Sequence, residues 1–211
     1  DIFWNGYKEL RSVWKQLKGQ TQLKHFLPAF FLYSMALQTV MLVAAYFGEE
    51  EISWANTSEK TVGLIVSILL IQIVAIFGAI LTARASERFG NIPVLIVINF
   101  IWVGLCIIAF YTRTPTQFYY VAGFVGLVMG GLQSLSRSTY SKLLPKTLDT
   151  TSFFSFYEIT EKIGIVFGMI CFGLIDHISG SMRNGILFFI IFFIFGALML
   201  MRIPKVKTVY S

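Results

Sequence analysis

Only 13% of the 211 residues are charged, 56% are hydrophobic, and the formal charge is +6, whereas soluble proteins carry about 25% charged residues. That balance excludes an ordinary water-soluble domain. The positive charge does not imply nucleic acid as a partner, because the basic residues gather beside apolar runs, where they suit the headgroups of a cytoplasmic leaflet.

The chain opens with Phe3, Tyr7, Leu10, Trp14 and Leu17 at helical spacing, next to a stripe of Lys8, Arg11, Lys15 and Lys18. This is the pattern of an interfacial amphipathic helix, and residues 1–25 are read as a cytoplasmic linker helix whose lysines snorkel to water. A start at Asp1 without a signal-peptide pattern is read as a fragment of a longer chain. Six apolar runs follow at 26–47, 61–81, 92–111, 118–135, 153–175 and 185–201. Each has roughly the 17 to 25 residues that a helix needs to cross about 30 Å of hydrocarbon, and only helices or closed barrels satisfy their backbones there. The expected fold is an all-α membrane protein with a six-helix transmembrane domain over 26–201 and a basic cytoplasmic tail over 202–211.

Most of the 17 basic residues fall on one side of these runs, among them Lys24, Arg84, Arg88, Arg137, Lys142 and Lys146. The other side has Lys60, Arg113 and Arg183. Lys and Arg stay on the cytoplasmic side, so both ends of the chain are expected there. The loop after the first run is acidic, with Glu49, Glu50, Glu51 and Glu59, and its Asn56-Thr57-Ser58 matches a glycosylation acceptor but is read as a solvated loop. Cys106 and Cys171 lie inside spans as small hydrophobes, and His25 and His177 have no ligand spacing. Neither a metal nor a cofactor is expected.

Polar side chains inside the spans are the candidate functional groups. In the first span Ser34 and Gln38 share a face, flanked by Tyr33 and Thr39; they either glue helices together or line an aqueous cavity. Gln72 and Asn99 are read as interhelical hydrogen-bonding groups. The fourth span carries Ala122, Gly126, Gly130 and Ser134 at intervals of four, a stripe for close helix packing, with Gln133 and Arg137 on an adjacent face. The fifth repeats small residues at Gly164 and Gly168. It also holds Glu158, Glu161 and Lys162, where Glu158 and Lys162 have the favourable i, i+4 order for an ion pair. Charges within a membrane are costly and mark functional positions. Either this group is a snorkelling ion pair near headgroup level, or one glutamate exchanges a proton. No nucleophile with an adjacent base, metal cluster or phosphate-cradling loop is found, so the chain is not expected to be an enzyme.

Between spans two and three stands Ala83-Arg84-Ala85-Ser86-Glu87-Arg88-Phe89-Gly90, which resembles the cytoplasmic loop motif of the major facilitator superfamily. Three longer stretches, FLPAFFLYSMALQT at 26–39, GGLQSLSRSTYSKLLPK at 130–146 and FFSFYEITEKIGIVFGMICFG at 153–173, resemble the C-terminal half of its vacuole-effluxer-like family. The resemblance implies spans seven to twelve of a twelve-span transporter that moves a small polar solute, with amino acids the leading class, in the cytoplasmic membrane of a bacterium or the vacuolar membrane of a eukaryote. Its partners would be the lipid bilayer, the N-terminal six-helix half and the solute. Tyr33, Ser34, Gln38, Thr39 and Gln133 then become cavity candidates, while Arg84, Glu87, Arg88, Gly90 and Arg137 become gate candidates. Spans one and four would line the cavity, two and five would meet the other half, and three and six would face lipid.

The departures from the family pattern are local. Tyr33-Ser34-Met35-Ala36 stands where the family commonly has Tyr-Asn-Asp-Gly, Glu87 where it has Asp, and Glu158 and Glu161 where it has small or polar residues. The missing acid leaves two rival readings open: a receptor or scaffold that keeps the transporter fold, and a lipid transporter.

Overall fold

In a computed structural model, the described residues are 11–16, 19–144 and 150–204, and the rest of the linker and tail expectations lie outside them. Residues 11–16 are helical. Seven longer elements follow: α1 (Thr21–Glu50), α2 (Thr57–Phe89), α3 (Asn91–Tyr111), α4 (Pro115–Leu143), α5 (Thr150–Ser179), α6 (Met182–Phe188) and α7 (Ile190–Met201). The sixth span is α6 and α7 together, broken at Phe189, whose amide makes a tightened bond of 3.1 Å to the Ile186 carbonyl. All six spans are long and apolar enough to cross a membrane.

The helices overrun the apolar runs because backbone hydrogen bonding continues where the polar residues begin. α1 starts at Thr21, so Lys24 and His25, expected in the linker, belong to the first span. α2 continues to Phe89, which makes Arg84, Glu87 and Arg88 the last turns of a helix rather than a loop. Gly90 ends it at φ +87°, a conformation costly for any residue with a Cβ. α4 is started by a capping box: Thr114 accepts from the Gln117 amide while the Gln117 side chain bonds back, with Pro115 in the first turn.

α1 is the central helix. It packs against α5 and α7, α2 packs against α4, and α3 rests on α4 and α7, with Trp102 stacked on Phe193 at 5.4 Å. Within the most apolar stretch of each span, 67% of residues are buried in α1 and only 17% in α2 and in α5. The exposed faces of α2 and α5 are apolar, with residues such as Ile73, Phe77, Val166 and Ile170, and so suit lipid or another apolar surface, not water.

Glycine sets the closest approach. A Cβ on Gly78 would lie 1.9 Å from the Leu127 carbonyl oxygen, one on Gly130 would lie 2.1 Å from that of Ala75, and one on Gly126 would lie 2.6 Å from that of Ile71. The α2 and α4 backbones therefore touch along this line, and Ala122 is buried on the same helix. On α5, a Cβ at Gly168 would meet Thr39 Oγ1 at 2.0 Å and one at Gly164 would meet Met35 at 3.4 Å, so these two glycines serve the contact with α1. Asn99 corrects an expectation. Its amide donates to the Leu95 carbonyl of its own helix, so that bond joins no second helix. Gln72 is exposed.

Candidate functional site

Three helices converge on a polar pocket of about 360 Å³. From α1 come Phe30, Tyr33, Ser34, Leu37 and Gln38; from α4, Gly130, Gln133, Ser134, Ser136 and Arg137; from α5, Tyr157 and Glu161. The spacings of three, four and seven within each group put them on one face of their helix. The pocket sits in the half of the bundle nearer the basic ends of α1, α4 and α5, where Lys24 and Lys142 lie.

Its inner wall is aromatic, and Tyr33 and Ser136 within it are hydrogen-bonded. Ser136 gives its hydroxyl proton to the Leu132 carbonyl at 2.6 Å, so the Tyr33 hydroxyl donates to Ser136 Oγ at 2.8 Å. Tyr157 stacks on Phe30 at 4.3 Å and leans on Tyr140 at 5.0 Å. The Tyr140 hydroxyl donates to the Phe153 carbonyl at 2.7 Å, tying the end of α4 to the start of α5.

The charged groups meet across helices. Gln38 Nε2 on α1 donates to Glu161 Oε1 on α5. Arg137 Nη2 on α4 stands 3.5 Å from Glu158 Oε1 on α5, with 55% and 57% of the two side chains exposed, and its guanidinium lies 5.6 Å from the Tyr157 ring centre. The pocket thus offers a cation able to bind a carboxylate bidentately, an acceptor carboxylate and two carboxamides.

Several sequence assignments change here. Glu158 pairs with Arg137, not with Lys162; Lys162 is exposed with no ion-pair partner among the described residues, since the i, i+4 attraction loses to a guanidinium on the facing helix. Arg137, assigned to the gate, lines the pocket. Thr39, assigned to the cavity, is fully buried and gives its hydroxyl to the Met35 carbonyl beneath Gly168. Ser134, assigned to the packing stripe, is exposed and lines the pocket. One helical step separates the glycines that meet α2 from the serine that does not.

The other gate candidates are not among the residues that line the pocket. Arg84, Glu87 and Arg88 are exposed at the end of α2, Arg88 lies over the Phe89 ring at 5.3 Å, and Glu87 has no ion pair among the described residues. Sequence reasoning missed the residue after Gly90. Asn91 donates to Thr139 Oγ1 at 3.0 Å and accepts from Lys142 Nζ at 3.1 Å, fastening the α2–α3 joint to α4.

It also missed Arg183, at the opposite end. This guanidinium, only 8% exposed, bonds Glu51 Oε2 at 2.6 Å, the Glu51 carbonyl at 2.7 Å and the Phe110 and Thr112 carbonyls at 2.6 Å each. It also lies over the Phe47 ring at 5.2 Å. Nearby, the Ser53 amide bonds the Arg113 carbonyl at 2.9 Å. The ends of α1 and α3 and the start of α6 are thereby clamped together. No local motif announces it; the cue was a lone arginine facing an acidic loop.

A family profile described as vacuole effluxer Atg22 like matches residues 1–209. The chain belongs to this family. It is 27% identical over 201 residues to an uncharacterized MFS-type transporter YxiO of Bacillus subtilis, covering 95% of this chain and 45% of that protein. It is 32% identical over 180 residues to autophagy-related protein 22 of Eremothecium gossypii, covering 79% of this chain and 34% of that protein. A match to autophagy-related protein 22-1 of Phaeosphaeria nodorum, 29% identical, covers 94% of this chain and 37% of the relative. The chain spans less than half the length of these relatives. Its six spans fit one half of a major facilitator fold, and the Atg22-like family is one of effluxers and transporters rather than enzymes.

Proposed function

We propose that this six-helix unit is half of an alternating-access secondary transporter that carries a small polar solute, with both of its ends on the cytoplasmic side. The observation that carries the reading is the convergence of Gln38, Gln133, Arg137 and Glu161 on one pocket of about 360 Å³, a volume within the range of small-molecule sites. A cation and a carboxylate within one pocket suit a solute bearing charges of both signs, and amino acids are the class that the family resemblance implies. Secondary transporters hold their solute between two repeats, so a partner half would close the open side of the pocket over the exposed faces of α2 and α5. Arg84, Glu87, Arg88 and Gly90 would serve the gate on the basic side. Glu161 is the candidate for proton coupling, because among the described residues its carboxylate bonds a neutral amide and no cation; Glu158 is already matched by Arg137.

The test is flux of labelled amino acids into proteoliposomes holding the full-length protein, with and without a proton gradient. Wild type is expected to accumulate solute when the gradient is imposed, and Glu161→Gln to lose that dependence. Solute binding without flux under any ion gradient would turn the reading to a receptor. Flux of labelled lipid instead would turn it to a lipid transporter.

A further inference from the structure

A second cavity, of about 570 Å³, lies at the basic end among helical residues 11–16, α1, α5 and α7, away from the polar pocket. Phe31, Phe156 and Met199 are among its walls, while Trp14 and Lys24 stand at its rim. The linker segment is docked over it: Val13 is buried, and the Trp14 ring lies 5.9 Å from that of Phe156. Gln22 bonds the Pro204 carbonyl at 2.9 Å, holding the start of α1 against the end of the last span. Trp14 thus covers part of this niche.

Three features define what fits it. The walls are apolar, so water would find few partners inside and a hydrocarbon chain would find many contacts. Tryptophan and lysine together mark the level of the headgroups. Lys24, the cation that lines the niche, is exposed and has no ion-pair partner among the described residues, and neither have the exposed Arg11 and Lys15 of the linker segment, so a negative group on Lys24 would meet unmatched positive charge. Pro28, inside α1 and lining the cavity, has no amide hydrogen and so cannot give the Lys24 carbonyl its usual i+4 bond.

We infer that this niche binds an anionic membrane phospholipid, with one acyl chain between α1 and α5 and the headgroup phosphate on Lys24. The lipid would complete the seat of the linker segment, filling the space beneath Trp14.

The test uses the full-length protein in phosphatidylcholine vesicles into which brominated phosphatidylglycerol or brominated phosphatidylcholine is titrated. Quenching by bromine is read as the difference in emission between wild type and Trp14→Phe. Half-maximal quenching of Trp14 is expected at a mole fraction about fivefold lower for phosphatidylglycerol, the factor that one lysine near an anionic headgroup supplies. Lys24→Gln should bring the two lipids to parity, and Lys24→Arg should keep the preference. Equal quenching by both lipids in wild type would overturn the proposal in favour of unselective bilayer lipid. A preference unchanged in Lys24→Gln would overturn the assignment of the headgroup to Lys24. Absence of quenching by either lipid would mean that protein fills the niche.

Discussion

Two arginine–glutamate pairs stand toward opposite ends of this bundle, and they are built for opposite purposes. Arg183 and Glu51 meet at 2.6 Å with 8% and 22% of their side chains exposed, and three backbone carbonyl bonds complete the guanidinium. Arg137 and Glu158 meet at 3.5 Å with more than half of each side chain exposed. A charge taken out of water must be fully matched to be tolerated. A half-solvated pair at longer range contributes little to stability and can exchange partners. The first therefore fixes three helix ends as one unit, while the second leaves a cation available to a solute.

This contrast yields predictions that run from large effects to none. Arg183→Leu should lower unfolding stability by about 3–5 kcal/mol, since it strands a carboxylate and three carbonyl groups, and should be read as a fall in thermal melting of the purified protein. Arg183→Lys should recover only part of it, because an ammonium cannot reproduce the planar fork. Gly78→Ala should cost about 1–3 kcal/mol by the same measurement, because its Cβ meets the Leu127 carbonyl oxygen and the α2 and α4 backbones must separate.

At the pocket the order of effects reverses between stability and transport. Arg137→Gln should change stability by no more than about 1 kcal/mol yet reduce solute flux in proteoliposomes at least about tenfold, as loss of a charged hydrogen bond to solute would. Gln38→Leu should likewise act on flux first. Lys162→Gln should move neither readout, staying within about 0.5 kcal/mol. A strong effect there would restore the Glu158–Lys162 pair as the working one.

The same contrast explains what could be read from the chain. Run lengths reveal six spans because hydrocarbon thickness sets a length that sequence must obey. Helical periodicity puts Ser34 with Gln38 and Gln133 with Arg137, since neighbours at i+4 share a face in any context. What periodicity lacks is the identity of the facing helix. Glu158 therefore looked matched to Lys162, when Arg137, 21 positions earlier in the sequence, reaches it from α4. Gly78 gave no stripe of its own, although it makes the closest backbone contact with α4. Arg183 read as a loop cation, because its partners, Glu51 and the carbonyls of Phe110 and Thr112, come together only when three helix ends are assembled.

The central claim is that the α1–α4–α5 pocket is the aqueous path of the solute, and Gln133 reports on it directly. In full-length protein with Cys106 and Cys171 replaced by alanine, Gln133→Cys should react with a membrane-impermeant thiol reagent, and transported solute should slow that reaction several-fold. A cysteine at Ile76, on the exposed apolar face of α2, should remain unreactive. If Gln133→Cys proves unreactive from both sides of the membrane while the protein still transports, the pocket is not the path and the account fails.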